Sequence, residues 1–264
     1  MSVYSPDIGA DENLDAGEYP GSDENPGSDR SWPAEATRRM NRMYRRQRHI
    51  YDGTRKYYLL GRDRLIAGLQ PETSANVLEI GCGTGRNLVL TARLYPAARF
   101  FGIDVSTEML TSAQAALSRR GPTGQVRLAH GDATAFDPLA LFGVPAFDRI
   151  FISYSLSMIP DWRGVLKQAA SRLASGGRLH IVDFGDQERL PAMARVLLLR
   201  WLAMFDVTPR DDLARELAAM AVHAGAALHF ERPFRGYAQY AVLTLPPEPG
   251  HRERMAGTRC GGPA

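Results

Sequence analysis

The chain has 264 residues, 44% of them apolar, and a formal net charge of +3, enough length to bury a substantial core in one domain. No apolar run reaches the roughly 20 residues of a spanning helix, and the polar, acidic N-terminus lacks the basic-then-apolar order of a secretory leader. The two cysteines, Cys82 and Cys260, suggest no disulfide framework, so a reducing, cytoplasmic setting is expected.

Residues 1–35 carry nine acidic residues against one basic residue, Arg30, with Gly, Pro and Ser between them and no apolar period. Such a stretch cannot offset its ordering entropy and is expected to be a disordered acidic tail. The remainder holds 31 Lys/Arg against 20 Asp/Glu, a formal +11. That surplus favours a polyanionic partner, an anionic membrane surface or a nucleic acid.

Residues 36–70 turn helical and basic, with ten Lys/Arg against Asp52 and Asp63 up to Leu69. Tyr44, Tyr51 and Tyr58 recur every seven residues, as do Met43, Ile50 and Tyr57. Both series fall on one aromatic stripe of a helical lid, or of two helices hinged at Gly53.

From Val77 onward short apolar strands alternate with helical stretches, the pattern of a parallel sheet covered by helices. Strands are expected near 75–80, 98–103, 125–129, 147–153 and 177–183. Helices are expected near 84–94, 106–118, 161–174, 188–205 and 210–223. The last strands, near 226–232 and 237–244, are joined by a link too short for a crossover and must run antiparallel. The fold class is therefore α/β, a doubly wound, Rossmann-like sheet over residues 36–245 with an N-terminal helical lid. Residues 246–264 read as a second disordered tail.

The strongest signal is Val77–Gly85, VLEIGCGTG, an apolar strand running through Glu79 into Gly81, Gly83 and Gly85 before a helix opens. Glycines let backbone turn sharply and approach a ligand, and the N–H groups of the helix start accept a negative group. A dinucleotide fingerprint prefers G-x-G-x-x-G, and here Arg86 stands at the third glycine. The observed G-x-G-x-G, preceded by Glu79, resembles motif I of class I methyltransferases. Phe101–Asp104 then ends the second strand with a carboxylate placed for both ribose hydroxyls, and Gly131–Ala133 follows the third. The resemblance implies S-adenosyl-L-methionine as cofactor, held by Glu79, Gly81, Cys82, Gly83, Gly85, Asp104, Val105, Asp132, Ala133 and Ser153. Cys82 reads as a small packing residue, and the six histidines show no metal-ligand spacing, so no metal is expected.

Ligands in such sheets lie beyond the carboxyl ends of the strands, which directs attention to Ser153, Tyr154 and Ser155 and to Asp183. Residues 42–66, RMYRRQRHIYDGTRKYYLLGRDRLI, with the Tyr51–Asp63 run as the most specific part, resemble the bacterial betaine-lipid N-methyltransferase family. Phe184 onward and MFDVTPRDDL share the likeness, which extends from about Arg39 to Leu245. It implies trimethylation of the amine of diacylglyceryl-homoserine, an amine-bearing glycerolipid, at the inner face of the membrane. A homoserine carboxylate suits a guanidinium, and a growing ammonium charge suits tyrosine faces. Tyr51 and Tyr154 are the expected catalytic residues, with Tyr44, Arg55, Tyr58, Arg62 and Asp183 on the substrate. Residues 190–205, LPAMARVLLLRWLAMF, suit a helix lying at a membrane interface, against a buried core or dimer helix as the competing view. Other acceptors, such as phosphatidylethanolamine or a quinone precursor, use the same cofactor loop. A nucleic-acid-binding protein with this fold is the contrasting class, and no nucleic-acid partner is expected.

Overall fold

The structure, a computed structural model, describes residues 59–120 and 124–248. The expected lid residues Tyr44, Tyr51, Tyr57, Tyr58, Arg55 and Lys56, the Gly53 hinge, the tail expected over 1–35 and residues 249–264 of the tail expected over 246–264 lie outside them. Of the lid, the described part is α1 (Arg62–Gly68), which buries Leu65 and Ile66.

Seven strands form one sheet in the order β3-β2-β1-β4-β5-β7-β6. They are β1 (Asn76–Ile80), β2 (Arg99–Asp104), β3 (Val126–His130), β4 (Phe147–Ser153), β5 (Leu173–Phe184), β6 (Ala227–Glu231) and β7 (Ala238–Thr244). The first five run parallel, while β7 lies antiparallel to both β5 and β6. Crossover helices join the parallel strands: α2 (Arg86–Leu94), α3 (Thr107–Arg120), the short α4 (Pro138–Phe142) and α5 (Trp162–Ser171). Beyond β5 come α6 (Ala192–Ala203) and α7 (Leu213–Ala224).

Alternation along the strands splits the core into two layers. Leu78, Ile80, Ile103, Ile150 and Ile181 face one side, with Trp162, Val165 and Leu166 of α5 and Leu213 and Leu217 of α7. Val77, Phe100, Phe151, Val182 and Phe184 face the other, with Leu65 of α1, Leu88 of α2 and Leu202 of α6. Each such fully buried side chain contributes roughly 1.5–3 kcal/mol relative to exposure. Gly102 lets α2 close on the sheet, since a Cβ there would stand 2.6 Å from Leu88 Cδ1.

The sheet class, the strand sequence and the antiparallel end agree with the sequence expectation. Two details differ. β5 starts at Leu173, inside a stretch expected as helix, and its register against β4 shifts between Phe147 and Arg149. A short helix, α4, also stands where none was expected.

Candidate functional site

β1 turns toward β2 on one side and β4 begins the opposite half of the sheet, so a crevice opens between the carboxyl ends of β1 and β4. A cleft open to solvent lies there. Its walls come from the glycine loop after β1, the start of α2, Ser153 at the end of β4, and Leu59 and Arg62 at the start of α1.

The glycine loop is built from left-handed backbone: φ is 70° at Gly81, 52° at Gly83 and 72° at Gly85. Side chains are excluded at both ends. A Cβ on Gly81 would lie 2.7 Å from Ser155 Cβ, and one on Gly85 2.9 Å from Ala113 Cβ. The Gly81 and Cys82 N–H groups donate to Ile103 O at 2.9 and 3.0 Å, which ties the loop to the end of β2. Asp104 joins the tie, its Oδ2 accepting Gly83 N–H at 2.8 Å and its Oδ1 accepting Ser106 N–H at 2.9 Å.

Glu79 is buried in the cleft wall, its Oε1 accepting Asn87 Nδ2–H at 2.7 Å. Asn87 Oδ1 and Ser153 Oγ are buried polar atoms with no hydrogen-bond partner among the described residues. Polar atoms of that kind, beside a loop that backbone geometry keeps open, fit a ligand with hydrogen-bonding groups of its own. Cys82 also lines the cleft, but burial and then the charges of Asp104 and Glu79 push its thiol well above the usual range, so it is no thiolate nucleophile.

Other expected site residues sit at the strand ends without lining the cleft. Val105 O accepts from His130 Nε2 at 3.0 Å, linking the ends of β2 and β3. Asp132 folds onto its own turn, Oδ1 accepting Thr134 N–H at 2.8 Å and Thr134 Oγ1–H at 2.7 Å. Ala133 packs half-buried against the core.

Two expectations on the β4–β5 side are corrected. Tyr154, expected to be catalytic, is buried with a left-handed φ of 57°, and its hydroxyl donates to Leu60 O. Its ring packs edge-on against Phe184 at 4.6 Å. Burial, then Tyr237 and Asp183, push its phenol far up, so it cannot collect a proton as a phenolate near neutrality. Tyr154 instead fixes the backbone that leads into α1 and hence Arg62. Asp183, expected on the substrate, is 1% exposed and holds Ser157 N–H at 3.2 Å and Phe184 N–H at 2.7 Å. It anchors the loop after β4 from beneath, as Arg210 does by donating to Leu156 O and Ile159 O at 3.1 and 2.8 Å.

Of the expected substrate residues, the structure brings Arg62 to the cleft, buried at its wall. Leu59, Thr84, Arg86 and Asn87 line it as well, and sequence reasoning missed their roles. Arg86 and Asn87 were recoverable, because the first turn of a helix that opens on a ligand loop must face that ligand.

Residues 77–177 match the protein family described as a methyltransferase domain. The chain is 31% identical over 55% of its length to the O-methyltransferase cnsE of Penicillium expansum, covering 51% of that protein. It is 33% identical over 44% of its length to the trans-aconitate 2-methyltransferase of Azoarcus sp., covering 42% of it. The chain thus spans about half the length of these relatives. Among solved structures, the S-adenosylmethionine-dependent methyltransferase SibL superposes with a TM-score of 0.58 at 20% identity, over 75% of this chain and 58% of that one. Phosphoethanolamine N-methyltransferase 2 of Haemonchus contortus, solved with S-adenosyl-L-methionine, gives 0.56 at 15% identity, over 71% and 52%. Residues 77–177 are thus similar to a methyltransferase domain, and the chain shares the fold of these solved methyltransferases.

Proposed function

We propose that this protein is an S-adenosylmethionine-dependent methyltransferase (EC 2.1.1) whose acceptor is the amine of diacylglyceryl-homoserine, carried to the trimethylated betaine lipid. The observation that carries the first half is the left-handed Gly81–Gly83–Gly85 loop lying in one cleft with Asn87 and Ser153, each holding a buried polar atom unpartnered among the described residues. Gly81 to Gly85 and Asn87 would hold the cofactor, with Asp104 toward its ribose. When bound, S-adenosylmethionine supplies an electrophilic methyl group on a sulfonium; the acceptor lone pair forms the new bond to carbon and the thioether leaves.

The chain's own residues then have a positioning task. Held in line, an unprotonated amine needs little further help, so geometry can supply much of the rate. Tyr154 sets the start of α1 through Leu60, and α1 sets Arg62 in the cleft wall. A guanidinium there suits a carboxylate-bearing acceptor, which homoserine provides. The lipid assignment is further supported by the likeness of the Tyr51–Asp63 run, whose Gly61, Arg62 and Asp63 fall within the described residues.

A second acceptor class has a specific observation in its favour. Relatives named trans-aconitate 2-methyltransferases act on a small carboxylic acid by name, and Arg62 and Arg86 in one cleft would suit such an anion. One experiment separates the two. Lipids extracted from a host that makes diacylglyceryl-homoserine and expresses this chain should accumulate the trimethylated product, while purified protein should leave trans-aconitate unmethylated. Methyl transfer to trans-aconitate with no new lipid would overturn the betaine-lipid proposal.

A further inference from the structure

Helix α6 is apolar on two sides. Its inner side, with Leu198, Leu199 and Leu202, packs into the same cluster as Tyr154, Phe184 and Leu59. On its outer side Met193, Val196 and Leu197 are 76%, 51% and 64% exposed, and Met204 just past its end is 68% exposed. These positions follow one another at the three- and four-residue spacing of a single helix face, with exposed Arg200 among them. A helix apolar all round is normally enclosed on both sides, yet at twelve residues α6 is too short to span a bilayer. No helix among the described residues is long and apolar enough to cross one.

We infer that the outer face of α6 docks on the surface of an anionic lipid bilayer. The inference rests on the lipid-acceptor proposal, because it explains how a cleft bounded by Leu59 receives a head group whose acyl chains stay in the membrane. Charge selects this occupant. Helix α6 itself carries two exposed arginines, Arg195 and Arg200, and no acid. Basic side chains beside an apolar helix face are attracted to anionic head groups while the apolar side chains enter the interface. A second copy of the chain fits worse, since pairing two such faces brings together two sets of arginines with no acid on α6 to match them. Residues 36–58 of the same chain fit worse as well, holding eight Lys/Arg against one acid.

The test is flotation of the full chain with phosphatidylcholine vesicles, with and without phosphatidylglycerol. Wild type should float with the anionic vesicles, and added salt should weaken the association. The double variant Met193→Ser/Leu197→Ser should lose about tenfold or more in partitioning, two large apolar side chains having left the interface. Arg200→Gln should lose less and only on anionic vesicles. Melting temperature and S-adenosylmethionine binding should stay at wild-type values in both, which establishes that each variant is folded. Equal partitioning of wild type and double variant, or no flotation of wild type, overturns the inference. So does a wild-type dimer in sedimentation that the double variant dissolves. Turnover of detergent-dispersed diacylglyceryl-homoserine is read separately: methylation without flotation removes the membrane face and leaves the acceptor, whereas flotation without methylation does the reverse.

Discussion

The loops after β1 and after β4 leave neighbouring strands and touch each other, but they present different parts of the chain to the cleft. In the first, backbone is the working surface: Gly81, Gly83 and Gly85 take left-handed angles, and no side chain projects from them. In the second, Tyr154 takes a left-handed angle without being glycine, and its ring turns into the core while Ser153 alone faces the cleft. Left-handed backbone costs an L-residue about 1 kcal/mol or more, and the buried ring and the bond to Leu60 offset it. A ligand loop made of backbone is written in the sequence as glycines, whereas one made of packed side chains is written in contacts from distant strands.

Several substitutions would sharpen or break this contrast. The largest stability effect should come from beneath the second loop. Asp183→Ala leaves the buried Ser157 and Phe184 N–H groups without acceptors and should cost about 3 kcal/mol in denaturant unfolding, with m unchanged. Burial pushes the Asp183 carboxyl up, so the fold takes its proton before the unfolded chain does, and Asp183 gives the fold no acid lability.

Acid lability should come instead from His180 on β5, which is 1% exposed with neither ring nitrogen partnered among the described residues. Burial, then Arg149 and Arg178, bring its pKa down to about 3. The unfolded chain therefore binds the proton first, near the ordinary value of about 6.5, and stability falls as pH drops from about 6.5 to about 3. Between neutrality and about pH 4.5 the loss should be roughly 2 to 3 kcal/mol, and His180→Leu should remove that part of the slope.

Gly81→Ala comes next. It combines a positive φ with a Cβ 2.7 Å from Ser155, so S-adenosylmethionine affinity by calorimetry should fall on the order of tenfold to a hundredfold. Near-wild-type affinity would sink the proposed cofactor cradle. Tyr154→Phe keeps the ring and deletes the donor to Leu60, so about 1 kcal/mol of stability should go and KM should rise more than kcat falls. If the phenol were a general base, the variant would instead lose two or more decades of kcat and a limb of the pH profile. Smallest is Ser153→Ala: stability should stay within about 0.5 kcal/mol, because Oγ has no hydrogen-bond partner among the described residues, while cofactor affinity drops a few-fold.

Legibility in the sequence divides along the same line. Strand and helix order followed from apolar alternation, and the glycine loop from its spacing. Helix α4 escaped notice although its signals were present: Asp137 caps Leu139 N–H, Pro138 opens the helix and Gly143 closes it in a left-handed turn. At five residues it offered no apolar period to find. The start of β5 escaped because Leu173–Gly177 continues the composition of the helix before it. Tyr154 and Asp183 were found as strand-end polar residues, but the direction in which their side chains turn depends on Leu60, Phe184 and Ser157, which the chain brings together only when folded. Arg62 was found for its type and neighbours, and the fold carries it to the cleft.

The abutment of Gly81 on Ser155 bears on how such an enzyme can be re-engineered. Ser155 Oγ donates to Ile80 O at 3.2 Å, and its Cβ fills the space a side chain at position 81 would need. Libraries that randomise residues 154–158 to retarget the acceptor therefore also press on the cofactor loop whenever residue 155 grows. Holding that one position at serine, alanine or glycine while varying the rest should decouple the two specificities, so that a lost activity reports on the acceptor and not on a displaced loop.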